Sequence, residues 1–167
     1  MAKKKNLSVR FLLVCYMITV LLLATGCGKK TSHLQEQSLT PTETVKLFYE
    51  TLDKMPTVEQ AKNDPQSNEA RKEAIRKATD LIAVDYIRQK AGHSPIARKA
   101  TNITIGIQIA IQSALSGPDF QRIYHTEKIE GEEATVVFTL VRISQNTKTE
   151  HEIKLIKEKG NWRIVKF

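Results

Sequence analysis

Sulfur chemistry is almost missing from this chain. It has two cysteines, Cys15 and Cys27, both within the first 27 of its 167 residues. From Gly28 onward no thiol remains for a disulfide, a CxxC redox pair, a cysteine nucleophile or a thiolate zinc site, so the fold must rest on its core. Histidine is scarce too: His33, His93, His125 and His151 are scattered without the spacing of zinc ligands. No P-loop, Rossmann fingerprint or nucleophile elbow occurs, so no metal and no cofactor is expected. A strong charge of one sign is also lacking once position is considered. The formal charge is +8, from 26 basic and 18 acidic residues. Lys3, Lys4, Lys5 and Arg10 precede the first acid, which leaves 22 − 18 = +4 for the rest. That is mixed, solvated charge without the basic stripe of a nucleic-acid binder, and no nucleic-acid partner is expected.

Long apolar runs are absent but for one. Phe11–Leu23 (FLLVCYMITVLLL) carries no charge and follows the basic segment MAKKKNLSVR. It is shorter than the roughly 20 residues that span a bilayer. A basic segment, a short apolar stretch and small residues at its end read as an export signal, with a retained signal anchor as the competing reading. The junction Ala24-Thr25-Gly26-Cys27 decides between them, because it resembles the bacterial lipobox. The resemblance implies cleavage between Gly26 and Cys27 and lipid attachment to the Cys27 thiol. Several acyl chains on one residue anchor stably where a single chain does not. Residues 1–26 are therefore expected to be a lipoprotein signal peptide. Residues 27–39 would be the lipidated cysteine and a polar, flexible tether, and residues 40–167 the domain. The expected location is the cell envelope: the outer membrane in a two-membrane bacterium, otherwise the outer face of the cytoplasmic membrane.

The domain opens on Thr40-Pro41-Thr42-Glu43, a capping-box pattern with proline at the first helical position. Val45, Phe48, Tyr49 and Leu52 follow at helical spacing and predict a helix over Pro41–Lys54. Pro56–Asn63 is polar and reads as a loop. Asp64-Pro65 starts a second predicted helix, with Ile75, Ala78, Ile82 and Tyr86 on one face and a stop at Gly92. Residues 101–115 are ambiguous. Ile103, Ile105, Ile107, Ile109 and Ile111 alternate as in a strand, yet Ile103, Ile107, Ala110, Ile111 and Ala114 also form a helical stripe after a Ser94-Pro95 cap. The cap favours helix. Beyond Gly117-Pro118 the chain predicts four antiparallel strands, at Gln121–Ile129, Ala134–Ser144, Thr149–Lys157 and Trp162–Phe167. Pairing the second with the third puts Val136, Phe138 and Leu140 on one face with Ile153 and Leu155. Thr135, Thr139, Glu152 and Lys154 take the other, and Trp162 and Ile164 are expected on the apolar face. The fold class is α+β, with N-terminal helices packed on a curved C-terminal antiparallel sheet.

The segments Thr40–Tyr49, Glu130–Val136 and Gly160-Asn161-Trp162-Arg163-Ile164 resemble a nuclear-transport-factor-2-like domain, in its branch of small bacterial lipoproteins. That resemblance implies helices before the sheet, a cone-like shape with an open mouth, and no particular activity. Some members are enzymes, such as ketosteroid isomerase and scytalone dehydratase, and others only bind or scaffold. The expected function is a non-enzymatic binding or scaffolding module on a membrane anchor, its partner a small apolar ligand or an envelope protein. The candidate cavity lining is Tyr124, Val136, Phe138, Leu140, Ile153, Leu155 and Trp162. The alternative is an isomerase-like enzyme in which a cavity Tyr124 donates to an oxyanion and a carboxylate such as Asp80 or Asp85 acts as base. Filling of the core by these same apolar side chains is the plainer expectation.

Overall fold

The computed structural model describes residues 38–167. The apolar run Phe11–Leu23, the lipobox residues Gly26 and Cys27, and His33 lie outside the described residues.

Helix α1 spans Pro41–Asp53. The Thr40 side chain accepts from the Glu43 backbone N–H at 3.2 Å, and the Glu43 carboxylate accepts from the Thr40 N–H at 2.8 Å. Both donors would otherwise be orphaned at the helix start. Val45, Phe48, Tyr49 and Leu52 are buried, as their spacing predicts.

Two expectations for the next segment need correction. Val58–Asn63, expected as loop, is a short helix, α2. It buries nothing. A second reciprocal capping box forms it instead: Thr57 accepts from the Gln60 N–H and Gln60 from the Thr57 N–H. A search for apolar periodicity has nothing to find there. The helix expected from Asp64 to Gly92 is in fact two, α3 (Pro65–Asp80) and α4 (Val84–Ala91). Between them Ile82 forms a parallel bridge with Ile164 of the last strand. Ala83 N–H donates to the Ile164 carbonyl at 2.9 Å, and Ile164 N–H to the Leu81 carbonyl at 2.9 Å. The helical pattern continues locally through this point, but part of the last strand's free edge is covered by interrupting it.

Residues 95–114 form a single helix, α5 (Pro95–Ala114), capped by Ser94, whose hydroxyl accepts from the Ala97 N–H at 3.1 Å. The helical reading of residues 101–115 therefore stands, but the expected stripe is reversed. The buried positions are Thr101, Ile105, Ile109 and Gln112, while Ile103, Ile107 and Ile111 point to solvent.

Four strands follow as a meander in the order β1-β2-β3-β4: β1 (Phe120–Glu130), β2 (Glu133–Arg142), β3 (Thr147–Glu158) and β4 (Asn161–Lys166). All neighbours are antiparallel. Lys159 and Gly160 at the β3–β4 turn both have positive φ (51° and 86°), as a tight hairpin of this hand requires. Val136 pairs with Ile153 and Ala134 with Leu155, on one shared face as expected from the sequence, but the turn falls earlier than expected: Thr147 is already in β3 and pairs with Arg142. Trp162 and Ile164 join the same buried face. α1 lies against it, and the core sits between the helices and the curved sheet. The architecture of the described residues is α+β: five α-helices followed by a curved four-stranded antiparallel sheet.

Candidate functional site

The inner face of the sheet has a dry end and a wet end. Along β3 the inward positions run Leu155 and Ile153, both buried, then His151, half-buried, then Thr149, exposed. Along β3 the cover therefore ends at His151, although Leu140 on β2, one rung further, stays buried, and the candidate site is this rim.

A bulge in β1 determines what reaches the rim. Tyr124 pairs with Phe138, but Thr126 pairs with Val137, leaving His125 as the extra residue. Tyr124 thereby stays on the inner face. His125 takes the outer one, its Nε2 2.7 Å from the Thr139 hydroxyl. Beyond the bulge Glu127 turns inward and accepts from the Thr42 N–H at 2.8 Å, in the first turn of α1, where the helix dipole favours an anion. Tyr124, Phe138 and His151 form a continuous aromatic wall. The Tyr124 and Phe138 rings lie 5.4 Å apart, and the His151 ring stacks on Phe138 at 5.4 Å and 11°. Lys46 Nζ sits 5.2 Å from the centroid of the Tyr124 ring.

A charged network lies beside the wall. Arg122, also inward, donates to the Asp53 carboxylate at 3.0 Å, to the Leu115 carbonyl at 2.7 Å and to the Ser116 hydroxyl at 3.0 Å. Its guanidinium covers the Tyr49 ring at 4.0 Å. Tyr49 O–H donates to Gln112 at 2.7 Å in the core, and Asp53 also accepts from the Gly117 N–H at 2.8 Å. The network ties the C-terminal ends of α1 and α5 to β1. Burial raises the Tyr49 phenol well above its ordinary value, partly offset by Arg122. Burial likewise pushes Tyr124 up to about 12, so its hydroxyl is a neutral donor near neutrality. The His151 imidazole is pushed down, first by burial and then by the Arg122 charge, which leaves a neutral ring at the rim.

The remaining lining candidates, Val136, Phe138, Leu140, Ile153, Leu155 and Trp162, are all buried in one core with Val45, Phe48 and Leu52. The carboxylates weighed for an isomerase do not meet Tyr124. Asp80 and Asp85 are exposed on α3 and α4, near Arg76 at 3.4 Å and Arg88 at 3.5 Å. The carboxylates that do act on the Tyr124 phenol are Asp53 and Glu50 of α1, and Asp53 is held by Arg122. His93 is exposed beside Arg88 and Arg98. Reading the sequence missed Arg122, Asp53 and Gln112. The available signal was strand parity, since Arg122 is two residues from Tyr124 and must share its face.

No protein-family model and no curated protein matches this chain. Among solved structures, it is similar to the crystal structure of a Campylobacter jejuni protein proposed to be an NTF2-like transpeptidase. The TM-score is 0.51 at 11% identity, over 76% of this chain and 98% of that one. Identity that low carries the fold and no activity. Five helices running into a curved antiparallel meander, matched over nearly the whole of that solved chain, give this domain the NTF2-like fold.

Proposed function

We propose that this chain is a bacterial envelope lipoprotein, acylated on Cys27 after cleavage at Gly26, and that its NTF2-like domain is a binding module that performs no covalent chemistry. The bound species is a small apolar ligand with a flat face. One observation carries the binding part: an aromatic row, Tyr124–Phe138–His151, crosses three strands on one rung, buried at its centre and half-buried at its two ends. Ligand sites of this kind combine apolar area with a few fixed polar groups, here the Tyr124 hydroxyl and the His151 imidazole. The nearby charges do not read as catalytic, because Arg122 and Asp53 already satisfy each other. The anchor part rests on Ala24-Thr25-Gly26-Cys27. Gly28 follows the cysteine, so the aspartate that retains lipoproteins at the inner membrane is absent. The outer membrane is the expected site in a two-membrane bacterium.

Titration of the purified protein with an apolar aromatic fluorophore tests the binding module. Saturable binding that weakens in Tyr124→Ala and His151→Ala, with both variants folded, is the expected result. Absence of saturable binding in the wild type sinks the small-ligand reading; capture of an envelope protein that the same substitutions abolish would replace it with a protein partner.

A further inference from the structure

Helix α5 buries Ile105 and Ile109 but carries a second apolar stripe on its solvent side. Its inward face includes the polar Thr101 and Gln112. Its outward face carries Ile96 (82% exposed), Ile103 (54%), Ile107 (53%) and Ile111 (48%), in line with exposed Ala100, Ala110 and Ala114. From Ala100 to Pro118 there is no charged residue, in a chain of which 26% is charged. The four isoleucines together leave on the order of 400 Å² of apolar surface in water, within the size range of patches that mark interaction sites.

We infer that this face of α5 lies on the lipid bilayer that holds the protein. The inference rests on the reading of Cys27 as the lipid anchor and adds a second, weaker contact to it. Three observations select a bilayer as the occupant. Only residues 28–40 separate Cys27 from Pro41 of α1, so the start of α1 stays within about 50 Å of the membrane surface even at full extension. The patch is then held at high effective concentration over lipid, and a modest apolar contact suffices. At the start of α5 the exposed Lys99 flanks the isoleucine stripe and the first turn carries no acid, which suits anionic headgroups beside an apolar helix face, whereas Arg98 turns the other way, toward Arg88 and Asp85. A second copy is the poorer fit. Two such faces pressed together bury roughly 800 Å², short of the ~1,000 Å² that a stable interface clears. Nor does α5 span the membrane: among the described residues no helix is long and apolar enough to do so.

The test uses the full chain processed in a lipoprotein-exporting host and bound to phosphatidylethanolamine–phosphatidylglycerol vesicles. A fluorophore is attached at Ile107→Cys, or at Glu150→Cys on the outward face of β3 as control. A nitroxide lipid labelled high on its acyl chain should quench position 107 about threefold more than position 150 if α5 lies on the bilayer. Equal quenching on floated vesicles, with Cys27 acylated by intact mass, overturns the docking and leaves the anchor intact. A concentration-dependent change at position 107 that the nitroxide does not affect overturns it in favour of a second copy. An unacylated Cys27 overturns the anchor and the docking together.

Discussion

Arg122 Nη1 lies 3.0 Å from Asp53 Oδ2 with 7% of the arginine side chain exposed. In every other ion pair among the described residues both side chains are at least 35% exposed. The surface pairs are worth little. The Arg122 pair ties α1, α5 and β1 at one junction, and removal of one partner strands the other. Arg122→Met should therefore cost about 3 kcal/mol in urea denaturation. Arg122→Met with Asp53→Leu should recover part of that loss, because the uncompensated charge is gone. Additive losses in the double variant would show that the pair is not coupled.

Stability should fall toward acid through His151. Its folded-state value lies below the ordinary 6.5, so the unfolded chain binds the proton more readily. The contribution is complete above the unfolded value and is lost as pH falls through and below it. Proton NMR should show the His151 ring titrating below the ordinary 6.5, and Arg122→Met should raise its value. A His151 resonance that titrates at or above 6.5 would contradict the stacked, partly desolvated ring.

At the alkaline end the sign reverses. Tyr49 and Tyr124 have raised folded-state values, so the folded state holds these protons more tightly. Their contribution is complete below the unfolded value, near 10, and is lost as pH rises above it. Ultraviolet titration should find Tyr124 still un-ionised in the folded protein when an ordinary tyrosine is half ionised. Tyr124→Phe should remove part of the alkaline loss of stability; unchanged alkaline melting would argue against the phenol's burial.

Helix α1 is a wall of the core. Thr40→Ala should cost about 1 kcal/mol by loss of the cap. Phe48→Ala should cost 3 kcal/mol or more, roughly up to 5, since the ring is fully buried against Tyr49 and Phe167. Negligible losses for both in denaturant melts would mean that the helix does not pack on the sheet.

Cys27→Ser should abolish incorporation of labelled palmitate and leave an unprocessed precursor. Label retained by the variant would remove the lipoprotein reading, whatever the domain binds.

Much of this protein is legible in the order of its residues. The capped α1, the apolar pattern of β2 and β3 and the face they share follow from local chemistry and from periods of 3.6 and 2, which any short stretch of chain carries by itself. The rim was half legible: Tyr124 could be picked out, but its direction hangs on the bulge at His125, and an extra residue in a ladder is visible only once its partner strand is known. Three things were decided by the tertiary structure alone. The helix expected to run from Asp64 to Gly92 breaks at Ile82 because the edge of β4 offers hydrogen bonds that no local pattern announces. Arg122 turns inward because Asp53, 69 residues earlier, and the carbonyl end of α5 are there to receive it. Isoleucines at six of the seventeen positions from 96 to 112 made α5 apolar nearly all round, so its sequence could not say which face is buried. The partners Tyr49 for Gln112 and the neighbouring helices for Ile105 and Ile109 settled that, and left Ile103, Ile107 and Ile111 outside.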